Sequence, residues 1–244
     1  MKVFLIAEIG SNWEGDISIA KKLIKQSQNA GANAVKFQMW RAEDLYPSNP
    51  LFKKIKKTEL SFNDVKKLKI FSDSIGIEFF CSVFYPEAVD YLESLSVKRY
   101  KIASRTCTLN DPLSLETLSA VNHSKKSTIV SMGMGGDKKF IKKILSKNQI
   151  TFLYCLSEYP LKIEKIKWNI AQKYAGFSDH TLGITAPIIF ASLMKMKKQK
   201  NTIIEKHVKL LNSKSLDAAT SLDMNQFKIL NDNLRNIEKL NFIS

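Results

Sequence analysis

Residues 3–38 read VFLIAEIGSNWEGDISIAKKLIKQSQNAGANAVKFQ, and this stretch contains the repeating unit that decides the fold. An apolar run at 3–9 predicts a buried strand, and a second such run follows at 33–38. Between them, residues 17–30 place isoleucine, leucine and alanine side chains largely on one face of a helix. Strand, helix and strand in this order predict two parallel strands joined by a right-handed crossover.

The same alternation continues along the whole chain. Further strands are predicted at 77–82, 98–103, 127–132, 150–155, 174–178 and 202–207. Further helices are predicted from Ser61, a candidate cap, to Gly76, and at 86–95, 112–122, 137–146, 163–173, 185–197 and 223–239. Eight strand–helix units favour a closed (β/α)8 TIM barrel over the competing architecture, a doubly wound open sheet.

The length of 244 residues suits one barrel domain, residues 1–244. The longest connection, 41–58, is expected to form a loop over the barrel mouth.

The net charge of +15 comes from lysines scattered in small groups, which indicates a solvated surface or a field that attracts anionic substrates. The sequence has no arginine-rich stripe or recognition motif, so nucleic-acid binding is not expected. No apolar run approaches the roughly 18 residues that cross a membrane. Three widely spaced cysteines without a CxxC pair fit a reducing compartment, and a cytoplasmic location is predicted.

In this fold, function gathers at the carboxyl ends of the strands. The side chains expected there include lysines, two of the three histidines, glutamates and several serines. They are Glu8, Lys36, Ser82, Lys101, Ser104, Ser131, Ser157, Tyr159, Ser178, Asp179, His180, Glu205, Lys206 and His207. Lysines and hydroxyls together bind a phosphate or carboxylate. Two histidines at adjacent strand ends can share one divalent ion. Each residue alone has a plainer interpretation, a surface charge or a packed imidazole, and His123 is expected to be an ordinary residue at a helix end.

Several ordered motifs resemble the N-acetylneuraminate (sialic acid) synthase family. They are Ala7-Glu8-Ile9-Gly10-Ser11-Asn12, Gly31 to Gln38, Lys101-Ile102-Ala103-Ser104, Ser157-Glu158-Tyr159-Pro160, Phe177 to Gly183 and Ile204-Glu205-Lys206-His207. The resemblance extends from about residue 3 to 239. It implies a barrel enzyme in which C3 of phosphoenolpyruvate attacks a sugar aldehyde, water adds at C2 and phosphate leaves.

The resemblance also implies residue roles. Phosphoenolpyruvate would be held by Lys36, Ser82, Lys101, Ser104, Ser131 and Ser178. A divalent cation, manganese or magnesium, would be bound by His180 and His207, with Glu8 beside it. The amino sugar would be contacted by Tyr159 and Asp217, with Ser157 at a position where the family has Asn or Ser. Glu8, Lys36 and Lys101 would be catalytic.

The chain departs from the family on the sugar side. Arg105-Thr106 stands where the family has Gly-Glu, and that glutamate lies at the sugar. Members typically continue into a small antifreeze-like domain that reaches across a dimer, whereas this sequence stops at Ser244. A homodimer or a separate antifreeze-like protein is therefore an expected partner. The alternative function is an altered or inactive barrel that binds a phosphorylated ligand or a partner protein.

Overall fold

Eight parallel strands close into a barrel in a computed structural model that describes residues 1–241. The strands follow one another around the barrel in sequence order, and β1 pairs with β8 to close it. They are β1 (Lys2–Glu8), β2 (Ala34–Met39), β3 (Glu78–Val83), β4 (Arg99–Ile102), β5 (Ser127–Ser131), β6 (Ile150–Tyr154), β7 (Gly176–Asp179) and β8 (Asn201–His207). The predicted (β/α)8 barrel is confirmed, and the open sheet is excluded. The predicted domain of 1–244 extends three residues beyond the described part.

The helices surround the strands, and several begin at the polar caps that the sequence offers. They are α1 (Ile17–Asn29), α2 (Ala42–Leu45), α3 (Phe52–Lys57), α4 (Phe62–Ser74), α5 (Pro86–Ser94), α6 (Ser114–Ser124), α7 (Lys138–Ile144), α8 (Trp168–Ala171), α9 (Thr185–Met196) and α10 (Met224–Lys239). The side chain of Ser61 accepts a hydrogen bond from the Asp64 amide at 3.1 Å, and Asp223 forms a capping box with Gln226. Within residues 1–241, no helix is long and apolar enough to cross a membrane.

Two connections differ from the prediction. Segment 41–58 is not a plain loop, because it contains the short helices α2 and α3, although it does lie along the barrel mouth. The predicted helix at 163–173 is wrong. Ile163–Lys165 forms a single 3-10 turn, Ile166 is extended with a buried side chain, and only Trp168–Ala171 is helical. Burial of Ile166 in an extended conformation interrupts the helical path.

The barrel interior is built in layers. Its lower layers are apolar and contain Ile6, Ala34, Phe80, Ile129 and Leu153, with Phe4 and Ile203 packed against them. Side chains alternate across a strand, so the residue two positions later points to the same side. On five of these strands that next residue is polar: Glu8, Lys36, Ser82, Ser131 and Glu205. The apolar plug therefore carries a polar layer directly above it, at the carboxyl ends of the strands.

Candidate active site at the barrel mouth

A cavity of about 450 Å³ opens at the carboxyl ends of the strands. Its floor is the polar layer above the apolar plug. All twelve residues to which the family resemblance assigns a role line this one cavity: Glu8, Lys36, Ser82, Lys101, Ser104, Ser131, Ser157, Tyr159, Ser178, His180, His207 and Asp217. Asp179 and Lys206, which were also expected at the strand ends, do not line it. The structure brings these side chains together at one mouth, and the chemical role of each stays a prediction.

Two buried lysines and one buried glutamate form the centre of the floor. Lys36 and Lys101 are 2% and 3% exposed, so each ammonium group needs a buried partner. Glu205 supplies it, because its carboxylate lies 3.7 Å from Lys36 Nζ and 3.4 Å from Lys101 Nζ. Lys36 also pairs with Glu8. The floor thus holds two positive charges against two carboxylates.

Serine hydroxyls fix the positions of these charges. Lys36 Nζ donates to Ser82 Oγ at 2.9 Å, and Lys101 Nζ donates to Ser131 Oγ at 2.7 Å. Ser178 Oγ donates to Glu205 Oε1 at 2.8 Å. Each floor lysine is therefore bonded to one of the serines that were expected to hold the same ligand. They form a ring of donors of the kind that binds a phosphate or carboxylate.

The two carboxyl groups have opposite protonation tendencies. Burial alone would raise the pKa of Glu205, but the ammonium groups of Lys101 and Lys36 and the Ser178 hydroxyl hold it at about 2. Burial raises the pKa of Glu8 to about 7, and the nearby Lys36 only partly offsets that effect. Glu205 is therefore a fixed negative charge, whereas Glu8 can gain or lose a proton near neutral pH.

Glu205 is the buried residue of the floor that the predicted site omitted. The sequence analysis placed it at a strand end and in a family motif but gave it no role. The signal was the alternation on β8: Glu205 and His207 both line the cavity, whereas Lys206 between them does not. A residue two positions before a predicted ligand on the same strand shares its face and belongs in the same candidate set.

The two histidines lie side by side at the ends of β7 and β8. Their ring centroids are 5.5 Å apart. His180 Nδ1 lies 2.8 Å from the carbonyl oxygen of Leu156, which fixes Nδ1 as the donor and leaves Nε2 as the nitrogen that can bind a metal. Burial lowers the pKa of His207 to about 3, with help from His180 and Lys36, so its imidazole is neutral. His207 Nδ1 is buried and has no hydrogen-bond partner within residues 1–241.

Glu8, His207 and Asp217 converge beside Gly10. A Cβ atom at Gly10 would lie 2.6 Å from Asp217 Oδ2, 3.3 Å from Glu8 Oε1 and 3.4 Å from His207 Cε1. Gly10 also has a φ of +51°, a conformation that favours glycine. Asp217 Oδ2 is held there by the amide and the hydroxyl of Ser11, at 2.8 and 2.6 Å. The missing side chain at Gly10 leaves a small space among these three groups.

These residues fit a divalent cation held by few protein ligands. In the part of the chain that the structure describes, no three His, Cys, Asp or Glu side chains form a ready ligand cluster. Two imidazoles can still act as ligands. His180 has Nε2 available because its Nδ1 is bonded to the Leu156 carbonyl, and His207 has an Nδ1 without a hydrogen-bond partner in the described residues. Imidazole and oxygen donors together suit manganese and similar ions, so water and substrate would complete the coordination.

A buried ion pair supports the two histidines from outside the barrel. Asp179 and Lys206 are fully buried and face each other in the β7–β8 register, each next to one histidine in the chain. Lys206 Nζ lies 2.6 Å from Asp179 Oδ2, and Asp179 Oδ1 accepts from the Thr181 amide at 2.9 Å. The pair therefore fixes the backbone on both sides of His180 and the neighbouring end of β8.

The outer part of the cavity is aromatic. Trp40 and Phe84 pack edge to face with ring centroids 6.2 Å apart, and Tyr46 packs against Trp40 at 6.3 Å. On the opposite side the Tyr159 ring covers His180, with ring centroids 4.1 Å apart. Arg105 also lines this part of the cavity. His123 is exposed at the end of α6, as predicted.

Comparison with known proteins gives one consistent result. The NeuB family model matches residues 23–241. An uncharacterized protein of Methanocaldococcus jannaschii is 35% identical over 97% of this chain and 71% of its own length. The N,N'-diacetyllegionaminic acid synthase of Legionella pneumophila is 32% identical over 98% of this chain and 73% of its own length. Among solved structures, N-acetylneuraminic acid synthetase from Leptospira borgpetersenii in complex with citrate superposes with a TM-score of 0.86. It is 26% identical, and the match covers 98% of this chain and 85% of that chain.

Proposed function

The chain belongs to the NeuB family and is a carbon–carbon bond-forming synthase of the sialic acid type, and we propose that it condenses phosphoenolpyruvate with an N-acylated amino sugar aldehyde. The product is a nonulosonic acid, and phosphate is released. The observation that carries the proposal is the floor of the cavity, where Lys36 and Lys101, each bonded to a serine, face one another across Glu205.

The floor suits phosphoenolpyruvate because its donors can bind both a phosphate and a carboxylate. Lys36 and Lys101 supply the charge, and Ser82, Ser104, Ser131 and Ser178 supply directed hydroxyl groups. An incoming anion takes over the lysine contacts that Glu8 and Glu205 hold in the free protein. Because the pKa of Glu8 is raised by burial to about 7, Glu8 can accept a proton as the anion enters and so reduce the repulsion.

The aldehyde of the acceptor would lie between the floor and the two histidines. His180 and His207 are the residues that fit a divalent cation there, with manganese or magnesium as the candidates. A bound cation would polarise the aldehyde oxygen toward attack by C3 of phosphoenolpyruvate. Glu8 Oε1 is buried and has no protein partner in the described chain, so it can hold the water that adds at C2. Lys36 and Lys101 would then stabilise the departing phosphate.

The sugar itself would occupy the outer part of the cavity. Tyr159 covers His180 there, Ser157 lines the same wall, and Asp217 is held in place by Ser11. These side chains can contact the hydroxyl or amide groups of the acceptor and hold its aldehyde near the histidines. The residues of the floor and those of the outer wall therefore have separate substrates.

The experiment that tests this function is phosphate release from phosphoenolpyruvate with manganese and a panel of N-acylated amino sugars. We expect release only when an acceptor is present, in equal amounts with the new acid. Phosphoenolpyruvate binding without turnover of any acceptor would favour the alternative, a barrel that binds a phosphorylated ligand without this catalysis.

A further inference from the structure

The outer wall of the cavity contains a group of side chains that the floor chemistry does not use. We define the collar as Trp40, Tyr46, Phe84 and Arg105, all of which line the cavity. Trp40, Phe84 and Leu45 form a small apolar cluster of their own, with Tyr46 and Ala103 packed against it. The collar lies where segment 41–58 meets the loop after β4, in the outer part of the cavity above the floor.

Arg105 is held in a fixed position at this junction. Its Nε and Nη2 atoms donate to the two carboxylate oxygens of Asp111 at 2.8 and 2.7 Å. Nη2 also lies 3.4 Å from the Leu45 carbonyl oxygen, and the guanidinium carbon lies 4.8 Å from the centre of the Tyr46 ring. None of the hydrogen bonds within residues 1–241 uses Nη1. The arginine is therefore preorganised and keeps one nitrogen for a ligand.

Trp40 offers a second donor without an acceptor. The residue is 7% exposed, and its indole Nε1 is buried with no hydrogen-bond partner in the described part of the chain. A buried donor of this kind is unfavourable unless a ligand or water satisfies it. Indole and guanidinium nitrogens only donate, so the group that they bind must be an acceptor. Because the rings of Tyr46 and Phe84 surround this part of the cavity, the rest of the bound group should be apolar.

The charge of the collar argues against a phosphate in this place. Asp111 neutralises Arg105 in a two-point ion pair, and the other charged side chain at the outer wall is Asp217, which is negative. The two lysines of the cavity are at the floor, where they are assigned to phosphoenolpyruvate. A dianionic group at the collar would therefore meet a cation whose charge Asp111 already neutralises, whereas a neutral acceptor needs only the free hydrogen-bond donors.

We propose that the collar is the subsite for an acylamino group of a neutral, unphosphorylated acceptor sugar, and that Arg105 and Trp40 determine this specificity. The amide oxygen accepts hydrogen bonds from Arg105 Nη1 and Trp40 Nε1. The acyl methyl group packs against Tyr46 and Phe84. This inference rests on the proposed function, because it assigns the outer wall to the acceptor.

The test measures kcat/KM for three acceptors: N-acetylmannosamine, its 6-phosphate, and 2,4-diacetamido-2,4,6-trideoxymannose. Arg105→Gln shortens the donor, and Trp40→Phe keeps the ring but removes the N–H. Hydrogen bonds to charged groups are worth about 1.5–3 kcal/mol, so Arg105→Gln should lower kcat/KM for the preferred acceptor roughly ten- to hundredfold. Trp40→Phe should have a smaller effect in the same direction. The KM for phosphoenolpyruvate should stay within about twofold, since neither residue contacts the floor.

Two further variants sharpen the result. Arg41→Gln is a matched control, because Arg41 also pairs with a carboxylate, Glu87 at 3.2 Å, and stacks on a tyrosine, Tyr85, but does not line the cavity. It should leave the preference among acceptors unchanged. Asp111→Asn frees the charge of Arg105 and should improve use of the 6-phosphate relative to the neutral sugars. The melting temperature of each variant separates a loss of fold from a loss of recognition.

The outcomes separate this inference from the proposed function. A preference for the 6-phosphate, or effects of Arg105→Gln and Trp40→Phe no larger than those of Arg41→Gln, would overturn the collar subsite. If no acceptor is turned over, the proposed function fails, but the collar is still tested by sugar binding in the presence of phosphoenolpyruvate. Saturable quenching of tryptophan fluorescence by a neutral N-acylated sugar, weakened in Arg105→Gln, which keeps Trp40 as the reporter, is then the expected result, and its absence contradicts the inference.

Discussion

At the floor of the cavity, Lys36 and Lys101 are buried and their charges are balanced by Glu8 and Glu205, groups that an anionic ligand can replace. At the collar, Arg105 is half-buried and tied to Asp111, which does not line the cavity. The ammonium groups of the floor can therefore exchange a glutamate partner for an anionic substrate, whereas the guanidinium group of the collar is already neutralised by Asp111. This difference indicates an anionic substrate below and a neutral one above, within the same cavity.

The largest expected effect is the loss of a floor lysine. Lys101→Met removes the ammonium group that balances Glu205 and donates to Ser131. Removing one partner of a buried charge pair costs about 2–5 kcal/mol, so calorimetry should show phosphoenolpyruvate binding weakened at least about thirtyfold. Lys142→Met, on an exposed helix face, is the control. Equal weakening in both variants would mean that phosphoenolpyruvate is held by general attraction to the basic surface and not by a specific contact with Lys101.

The next effect concerns the two histidines, which lie at the ends of β7 and β8 on the side of the cavity opposite the collar. We expect His207→Ala and His180→Ala each to weaken manganese binding by at least about tenfold, measured by electron paramagnetic resonance on the protein without substrates. His123→Ala is the matched control, because His123 is exposed at the end of α6. Retention of full manganese affinity by the double variant of His180 and His207 would show that the cation binds elsewhere.

A smaller effect is expected for the space beside Gly10. Gly10→Ala places a methyl group 2.6 Å from Asp217 Oδ2 in a left-handed conformation. We expect the free energy of unfolding to fall by roughly 2–4 kcal/mol, from left-handed strain plus overpacking. Gly76→Ala shares the positive φ but meets no atom within 4 Å, so it should show the strain alone, about 1 kcal/mol. Identical losses in the two variants would argue that Glu8, His207 and Asp217 do not enclose this space.

The smallest effect is a pH dependence at the floor. Because the pKa of Glu8 is raised by burial to about 7, the group is neutral below that pH and anionic above it. Phosphoenolpyruvate affinity, measured without metal, should therefore fall as pH rises from 6 to 8, by up to about tenfold. Glu8→Gln should remove most of this dependence, and what remains reports the titration of the ligand itself. An unchanged profile in Glu8→Gln would assign the dependence to another group.

The fold was predictable because each unit repeats the same local pattern. Apolar strands alternate with amphipathic helices from residue 3 onward, and eight repeats close a barrel. The floor was predictable for the same reason, since strand ends of parallel strands meet at one mouth. The helix predicted at 163–173 was wrong because burial of Ile166, a tertiary contact, overrides local periodicity.

The collar could not be predicted, because it depends on how three connections pack. Trp40, Tyr46, Phe84 and Arg105 come from three separate loops, and no sequence period brings them together. The sequence identified Arg105 as a departure from its family but did not show whether its side chain points into the cavity. The contact of Arg105 with Leu45 exists only once segment 41–58 lies across the mouth.

The most direct test of the proposed reaction follows C3 of phosphoenolpyruvate, the atom that would form the new bond to the aldehyde carbon. Wild-type protein with manganese, [3-13C]phosphoenolpyruvate and a neutral N-acylated amino sugar is monitored by 13C and 31P nuclear magnetic resonance. The account predicts that the label appears as a methylene carbon bonded to the former aldehyde carbon, with one inorganic phosphate released for each acid formed. The proposed reaction would be contradicted if labelled phosphoenolpyruvate binds the protein but stays intact with every acceptor. It would also be contradicted if labelled phosphoenolpyruvate is only hydrolysed to labelled pyruvate and phosphate.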